Sequence, residues 1–562
     1  MKISFLPFLF CLIFSPFVSW TQIKQEQKID SLFINWQVKE SPGGVVAILQ
    51  EGNVIYKKAF GLADIEKKIK NSPELKYDLA SIAKQFTAFC IALLDEQGKL
   101  SVEDDLTKYY PEFQYPEGIK IKNLLDHTSG IREAYVLAML SGKMNLKGEV
   151  PKKYNTKEFL LKVLSKEKDL NFKTGDELAY TNVNYILLGD IVERVSKRPL
   201  HVFADSVIFK PLGMNNTVFR YKQKMEIHGE ASGYYQKNKK FKKGKAFGGI
   251  VGDHNLLSTI DDLIKWELNF YNNQLGKRNQ QLIDKVYASS KLNNGELTHY
   301  AYGLWTNEYR GLKQINHGGD DGRHTSFILK FPEKQLDIIV LANSYRYNDT
   351  ESKAYGIANI ILEDFLTKPI ESNEPADIIF PLAEELKTKT GLYTRVTKEG
   401  LAQLRKISFV DSSLYISASY YGNGIKLSAT TNNIFVATTG YGKRIQFQFE
   451  NDSAQLVLKE IFGEKIGYFK RMKEFKPVFT NFLGSYVNES TGAKLKVKKR
   501  KNGIVARKGI IKFPLIVFDR DQFFAFQHDA LFIFERDASG KVIRLKANAK
   551  DFRNFVFTRH QN

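Results

Sequence analysis

Three short segments of the 562-residue chain carry residue types that could break a covalent bond: Ser81-Ile82-Ala83-Lys84, Tyr180-Thr181-Asn182 and His317-Gly318-Gly319. In the first, residues three apart share a helix face, so the Lys84 amine can reach the Ser81 hydroxyl. A serine is a weak nucleophile until an adjacent base takes its proton. A lysine can be that base where apolar surroundings disfavour its charged form. A serine at the start of a helix also lies at the positive end of the helix dipole, which favours negative charge developing there. Ser-x-x-Lys arises by chance in any lysine-rich chain, however, and Ser81 could be a plain helix cap. Tyr180 could equally be a core aromatic, and Gly318-Gly319 a hairpin turn.

Positioning these residues takes a particular set of elements. Residues 82–94 are apolar almost all round, which predicts a buried helix with Gly98 as its stop. Residues 44–49 and 54–60 read as strands joined by the Glu51-Gly52-Asn53 turn. Ser258-Thr259-Ile260-Asp261 looks like a capping box opening an amphipathic helix through Trp266. Residues 301–308, 314–317, 325–331 and 336–343 then read as consecutive strands. Strands, helices and strands again predict an α+β core whose sheet takes segments from both ends. Beyond a linker containing Pro369 and Pro375 the texture changes to short alternating strands, and these repeat. Gly391-Leu392-Tyr393 recurs as Gly484-Ser485-Tyr486, Phe447-Gln448-Phe449-Glu450 as Phe532-Ile533-Phe534-Glu535, and Phe469-Lys470-Arg471 as Phe557-Thr558-Arg559. A period of roughly 85–90 residues predicts two small antiparallel β-barrels, a closed form that leaves no sheet edge exposed.

The ordered Ser-x-x-Lys, Tyr-x-Asn and His-x-Gly elements resemble the serine β-lactamase-like family, which includes class C β-lactamases, DD-peptidases, D-aminopeptidases and related esterases. Leu124-Leu125-Asp126-His127-Thr128-Ser129-Gly130, the 257–263 stretch and Tyr302-Gly303-Leu304-Trp305 extend the resemblance over about residues 40–345. The resemblance implies Ser81 as the acylated nucleophile, Lys84 as its base and Tyr180 as the carrier that passes a proton to the leaving group. It implies Asn182 as holder of the lysine and the substrate amide, and an oxyanion hole from the backbone N–H groups of Ser81 and Asp320. Glycines such as Gly319 would let the substrate lie against a strand edge, where fixed amide dipoles stabilise a tetrahedral intermediate. The expected division is a signal peptide over 1–21, the hydrolase domain over 22–368, a linker over 369–385, and barrels over 386–476 and 477–562.

Many penicillin-recognising relatives carry Lys-Thr-Gly as the third element, with its lysine on the substrate carboxylate. Here Lys173-Thr174-Gly175 stands before the tyrosine element and Lys389-Thr390-Gly391 beyond the linker, both out of order. His317 holds the expected place, and a largely neutral imidazole grips a carboxylate weakly. Arg323 nearby could supply the charge instead. Peptidase, amidase or esterase activity on D-amino-acid peptides is therefore expected ahead of potent β-lactamase activity. The rivals are a small-molecule esterase or weak β-lactamase and, from another class, a non-catalytic envelope-polymer binding protein.

Lys2 followed by an apolar run broken by Pro7 and Pro16 reads as a secretory signal, so a secreted or periplasmic protein without a transmembrane anchor is expected. Two cysteines exclude a disulfide scaffold, and the nine histidines show no metal-binding spacing, so neither metal nor cofactor is expected. His127 reads as structural, capping a helix end. Part of the net charge of +21 is concentrated in runs at 237–245 and 494–501, neither of which has the interleaved aromatic stacking pattern of a nucleic-acid groove. That distribution argues against nucleic acid and for solvated loops, with anionic envelope polymers as the alternative.

Overall fold

The computed structural model describes residues 20–140, 156–367 and 378–560, apart from 239, 247, 346–348, 398–400, 419–423, 439–443, 453–454, 463–464, 473–474, 476, 502, 510 and 550–551. The expected leader lies outside them except for Trp20 and Thr21, and so does most of the expected linker. Among the described residues no helix is long and apolar enough to cross a membrane.

The first part of the chain is built on one seven-stranded antiparallel sheet. Its spatial order is Tyr300–Ala301, Leu304–Tyr309, Leu312–Asp320, Thr325–Phe331, Leu336–Ala342, Gly44–Gln50 and Asn53–Phe60. The sheet thus takes its strands from both ends of the domain, as the alternation of patterns predicts. Gly44–Gln50 is buried on both faces because period-two alternation splits its side chains between two cores. Val45, Ala47 and Leu49 join the large core around the helix Ala83–Glu96. Val46 and Ile48 join a second core under the helix Thr350–Ile361, where Phe33, Trp36 and Phe60 stack. Each such side chain, fully buried, contributes about 1.5–3 kcal/mol.

The helix expected over 82–94 runs from Ala83 to Glu96 and ends before Gly98, whose φ of +67° suits glycine. It is entered through a short 3-10 turn, Ala80–Ile82. The amphipathic helix is Ile260–Asn269, and its cap is Thr259, whose hydroxyl accepts from the Asp262 N–H at 3.3 Å.

The repeats are two closed eight-stranded barrels, with strands running from Gly391–Val396 to Lys465–Arg471 and from Gly484–Val487 to Phe552–His560. The duplicated motifs fall on equivalent strands. Tyr393 and Tyr486, in the first strands, each donate to the carbonyl four residues back, Lys389 at 2.7 Å and Phe482 at 2.8 Å. Both glycines that open these strands pack against the arginine of the last strand, where an added Cβ would lie 2.9 Å from Arg471 Nε or 3.2 Å from Arg559 Nε. Lys389-Thr390-Gly391 therefore leads into the first barrel, from the end of the helix Ala383–Thr388 to the first residue of the strand Gly391–Val396.

The second barrel is fused to the helical part of the first domain. Leu137, Val136 and Val163 pack into its core. Arg132, 2% exposed, donates from Nη1 to Glu167 at 2.8 Å and from Nη2 to the Arg553 carbonyl at 2.9 Å. Arg553 in turn donates its N–H to Asn171 at 2.7 Å and pairs with Glu177 at 2.5 Å.

Candidate active site

Ser81 sits in the 3-10 turn, not at a cap position. The preceding residue, Ala80, has φ +48°, a conformation that L-residues rarely adopt, and its N–H donates to Asp78 at 3.1 Å. Strain of this kind persists only where surrounding contacts over-determine it. Here Leu79 supplies them, since its carbonyl accepts from the Ser326 hydroxyl at 2.8 Å. Gly318 and Gly319 lie within the strand Leu312–Asp320 rather than in a turn. A Cβ on Gly319 would come within 2.0 Å of the Leu79 carbonyl oxygen, so the missing side chain lets the strand edge run against the turn that carries Ser81. Asp320, the last residue of that strand, is exposed.

Lys84 is completely buried while Ser81 reaches solvent. The lysine Nζ lies 3.0 Å from Ser81 Oγ, 2.9 Å from Asn182 Oδ1 and 3.0 Å from the Asp253 carbonyl oxygen. An ammonium would donate to all three. A neutral amine has two N–H bonds and one lone pair, and the amide and backbone oxygens can only accept. Those two therefore take the N–H bonds and leave the lone pair for the Ser81 hydroxyl, the one partner that can donate. Deprotonated, Lys84 is seated to take the serine proton. Its ammonium form also lies 5.0 Å from the centre of the Tyr180 ring.

Tyr180 and Asn182 flank Thr181, the residue preceding the helix Asn182–Ser196. Glu133 fixes this entry, because its Oε2 accepts from the Thr181 hydroxyl and from the Asn182 N–H, each at 2.8 Å. His127, φ +59° and fully buried, lies 4.3 Å from the Tyr180 ring. Its Nδ1 accepts from the Thr181 N–H at 3.3 Å and from Asn184 Nδ2 at 3.2 Å, so the ring proton belongs on Nε2. Burial, and then the Lys84 charge, hold His127 well below the usual imidazole range. It supports Tyr180 rather than capping a helix. Sequence patterning offered no signal for Glu133 or for the Asp253 carbonyl.

His317 is 3% exposed. Its Nδ1 donates to the Gly318 carbonyl at 2.7 Å, and its Nε2 accepts from the Tyr300 hydroxyl at 3.1 Å. Burial, reinforced by Lys84, lowers its pKa to about 3, so it is neutral at physiological pH with both nitrogens engaged by the protein. Arg323 differs from the expectation of a free cation. Its guanidinium, 6% exposed, lies 2.7 Å from Asp321 and 3.4 Å from each of Asp78 and Glu230. Arg220 shares Asp78 and Glu230 with it. A charge desolvated this far persists because it is paired, and pairing spends it. The structure thus brings Ser81, Lys84, Tyr180 and Asn182 together, sets Gly319 beside them, and withdraws Arg323 into a buried ion network. Lys173-Thr174-Gly175 borders the site wall, where the Thr174 hydroxyl donates to the Ser129 carbonyl at 3.1 Å and the Gly175 N–H to the Thr128 carbonyl at 2.9 Å. Among the described residues no group of three or more His, Cys, Asp and Glu side chains is arranged to hold a metal ion.

Comparison with known proteins matches residues 34–361 to the Beta-lactamase family model. "Protein flp" of Staphylococcus aureus (strain MRSA252) is 30% identical over 328 residues, which is 57% of this chain but 63% of that relative, less than two thirds of its length. "Penicillin-binding protein 4*" of Bacillus subtilis (strain 168) is 24% identical over 398 residues, 68% of this chain and 84% of that relative. Among solved structures, the octameric penicillin-binding protein homologue from Pyrococcus abyssi is similar with a TM-score of 0.55 and 26% identity, over 80% of this chain and 99% of that one.

Proposed function

The chain belongs to the Beta-lactamase family of serine hydrolases, and from that membership we propose that it is an exported enzyme cleaving an amide, peptide or ester bond through an acyl-enzyme on Ser81. In the proposed cycle Lys84 Nζ takes the Ser81 hydroxyl proton as Oγ adds to the substrate carbonyl. The backbone N–H groups of Ser81 and Asp320 hold the resulting oxyanion. Tyr180 delivers a proton to the leaving amine or alcohol as the C–N or C–O bond breaks, and Lys84 restores the tyrosine proton. Water then attacks the ester by the reverse traffic and frees Ser81. The observation that carries this reading is the three-oxygen seat of Lys84, which aims its lone pair at Ser81.

Cell-wall-type peptides ending in D-amino acids are the favoured substrates. The resemblance to D-aminopeptidases and the trailing barrels support that choice, and the neutral, engaged His317 weighs against potent β-lactamase activity. The penicillin-binding names of two relatives make a penicillin a suitable probe. The test is intact-protein mass spectrometry after exposure to a fluorophosphonate and to a penicillin, beside turnover of nitrophenyl esters, D-alanyl amides and a chromogenic cephalosporin. One adduct at Ser81, absent in Ser81→Ala, is expected. A folded protein that neither labels nor turns over any of the three substrate classes overturns the proposal in favour of a binding protein.

A further inference from the structure

With His317 neutral and Arg323 paired, neither of the two residues that the sequence put forward supplies a free cation for an anionic substrate. A different residue stands in the right place. The segment 252–258 passes behind Lys84, and its Asp253 carbonyl is one of the three oxygens that seat the lysine. Every residue of that segment is buried except His254, 27% of whose side chain reaches solvent. His254 Nδ1 lies 2.7 Å from Asp253 Oδ1, a close ion pair rather than a well-aligned hydrogen bond. The pair orients the imidazole and commits Nδ1. Among the described residues the other nitrogen, Nε2, has no hydrogen-bond partner, and it is not one of the buried unpartnered nitrogens.

We propose that His254 is a substrate-binding residue whose Asp253-oriented imidazolium receives a carboxylate carried by the substrate, beside the Ser81–Lys84 pair. This rests on Ser81 being the nucleophile and adds to it a preference for anionic substrates. The charged groups that act on His254 are Asp253 on its own segment, Asp78 in the strand Tyr77–Asp78 before the nucleophile, and Lys84 on the catalytic helix. Tyr135, on the helix Ala134–Leu140, acts on Asp253. Burial works against a charge on His254, but Asp253 outweighs it, so the imidazole stays protonated above its ordinary range. Asp78 and Lys84 bracket Ser81 in sequence, so the field that His254 feels is that of the reacting centre. Arg323 is in contact with three carboxylates and has a 6%-exposed side chain; among the described carboxylates His254 is in contact with Asp253 alone, and it has a 27%-exposed side chain.

The probes are two esters of the same nitrophenol, the neutral p-nitrophenyl butyrate and the anionic mono-p-nitrophenyl glutarate. The quantity read is the ratio of their kcat/KM values between pH 5 and pH 9, on the full chain. A hydrogen bond to a charged group is worth about tenfold or more in such a ratio. The wild type is expected to favour the anionic ester at low pH and to lose that preference as pH rises through the raised imidazole pKa. His254→Gln should lower the low-pH ratio about tenfold and flatten its pH dependence. His254→Lys should restore the preference and carry it to pH 9. The neutral ester serves in each variant as the check on folding and on Ser81. An unchanged ratio in His254→Gln, or a wild-type ratio independent of pH, overturns the proposal while leaving the Ser81 reading intact. Wild-type protein that hydrolyses neither ester and takes no fluorophosphonate overturns both.

Discussion

Replacing Arg132 by alanine should loosen the second barrel from the catalytic domain, and the size of the effect can be worked from the contacts. The guanidinium and its Glu167 partner are 2% and 1% exposed, so removing the cation leaves a carboxylate buried without its charge partner. It also strips a donor from the carbonyls of Arg553 and Asn554. Removing one member of a buried pair costs about 3–5 kcal/mol, whereas replacing both by apolar residues of similar volume is often neutral. At about 1.4 kcal/mol per decade, the loss raises the population of the opened interface by roughly 100–4,000-fold. Native-state proteolysis reads that population where opening is fast relative to cleavage. Arg132→Ala should therefore be cleaved at least about a hundredfold faster than wild type, and Arg132→Met with Glu167→Leu should recover most of the difference. Activity should fall with the clamp, because Arg132 adjoins Glu133, whose carboxylate holds the entry to the helix that carries Asn182. A cleavage rate for Arg132→Ala within threefold of wild type, or no recovery in the double variant, refutes this account of the interface.

Two further outcomes follow from the site and its surroundings. Gly303 has φ +84°, and an added Cβ would meet the Gln85 nitrogen at 2.7 Å and the Lys84 carbonyl carbon at 2.8 Å; Gly303→Ala should slow Ser81 labelling at least about tenfold, while Gly295→Ala, with a similar φ of +88° and open space around it, should not. Between the sheet and the helix Ile260–Asn269 one buried lysine, Lys330, serves two carboxylates, Glu267 at 2.8 Å and Asp337 at 3.9 Å. Burial, opposed by Lys330 and reinforced by Glu267, raises Asp337 to about 7. The folded state then binds a proton that the unfolded chain releases near pH 4, so stability is present at low pH and is lost as pH rises through 7. Asp337→Asn should melt close to wild type at pH 4 and above it at pH 8, and a difference that stays constant across that range contradicts the assignment.

Much of this was legible in the sequence because it is local or periodic. Strand alternation placed the sheet, the apolar run placed the catalytic helix, and the Gly-x-Tyr openings placed the barrels, since each signal depends on neighbours a few residues apart. What the sequence hid depends on pairs brought together from afar. Arg323 looks like a free cation until Asp78 and Glu230, some 245 and 93 residues away, are folded against it. The Asp253 carbonyl has no residue-type signature at all, because any amino acid supplies one. Arg132 and Arg553 meet across 421 residues, and nothing in the spacing of either predicts it. Glu133 and His254 read as ordinary polar positions until the backbone sets them beside Asn182 and Lys84.

The contrast between the two buried lysines supports the proposal that Lys84 is the base, and it can be tested. Lys330 sits on the carboxylate of Glu267, and that charge, outweighing burial, holds its proton. Lys84 meets only neutral oxygens: a hydroxyl, an amide and a backbone carbonyl. Giving up a proton there leaves no stranded anion behind. Asn182→Asp changes one of these oxygens into a charged one with almost no change of shape. Asn182 opens its helix, where a carboxylate is favoured by the dipole, so folding should be preserved. An opposite charge in contact shifts a titrating group by about 1–3 pKa units. The fraction of free amine, and with it the rate of Ser81 labelling by a fluorophosphonate at pH 7, should fall by roughly 10–1,000-fold. The deficit should narrow as pH is raised toward 10, because hydroxide competes for the same proton. Asn182→Ala, which removes the holder without adding charge, should instead show a deficit independent of pH. If Asn182→Asp labels at the wild-type rate, or if its deficit does not shrink with pH, Lys84 is not the group that takes the serine proton.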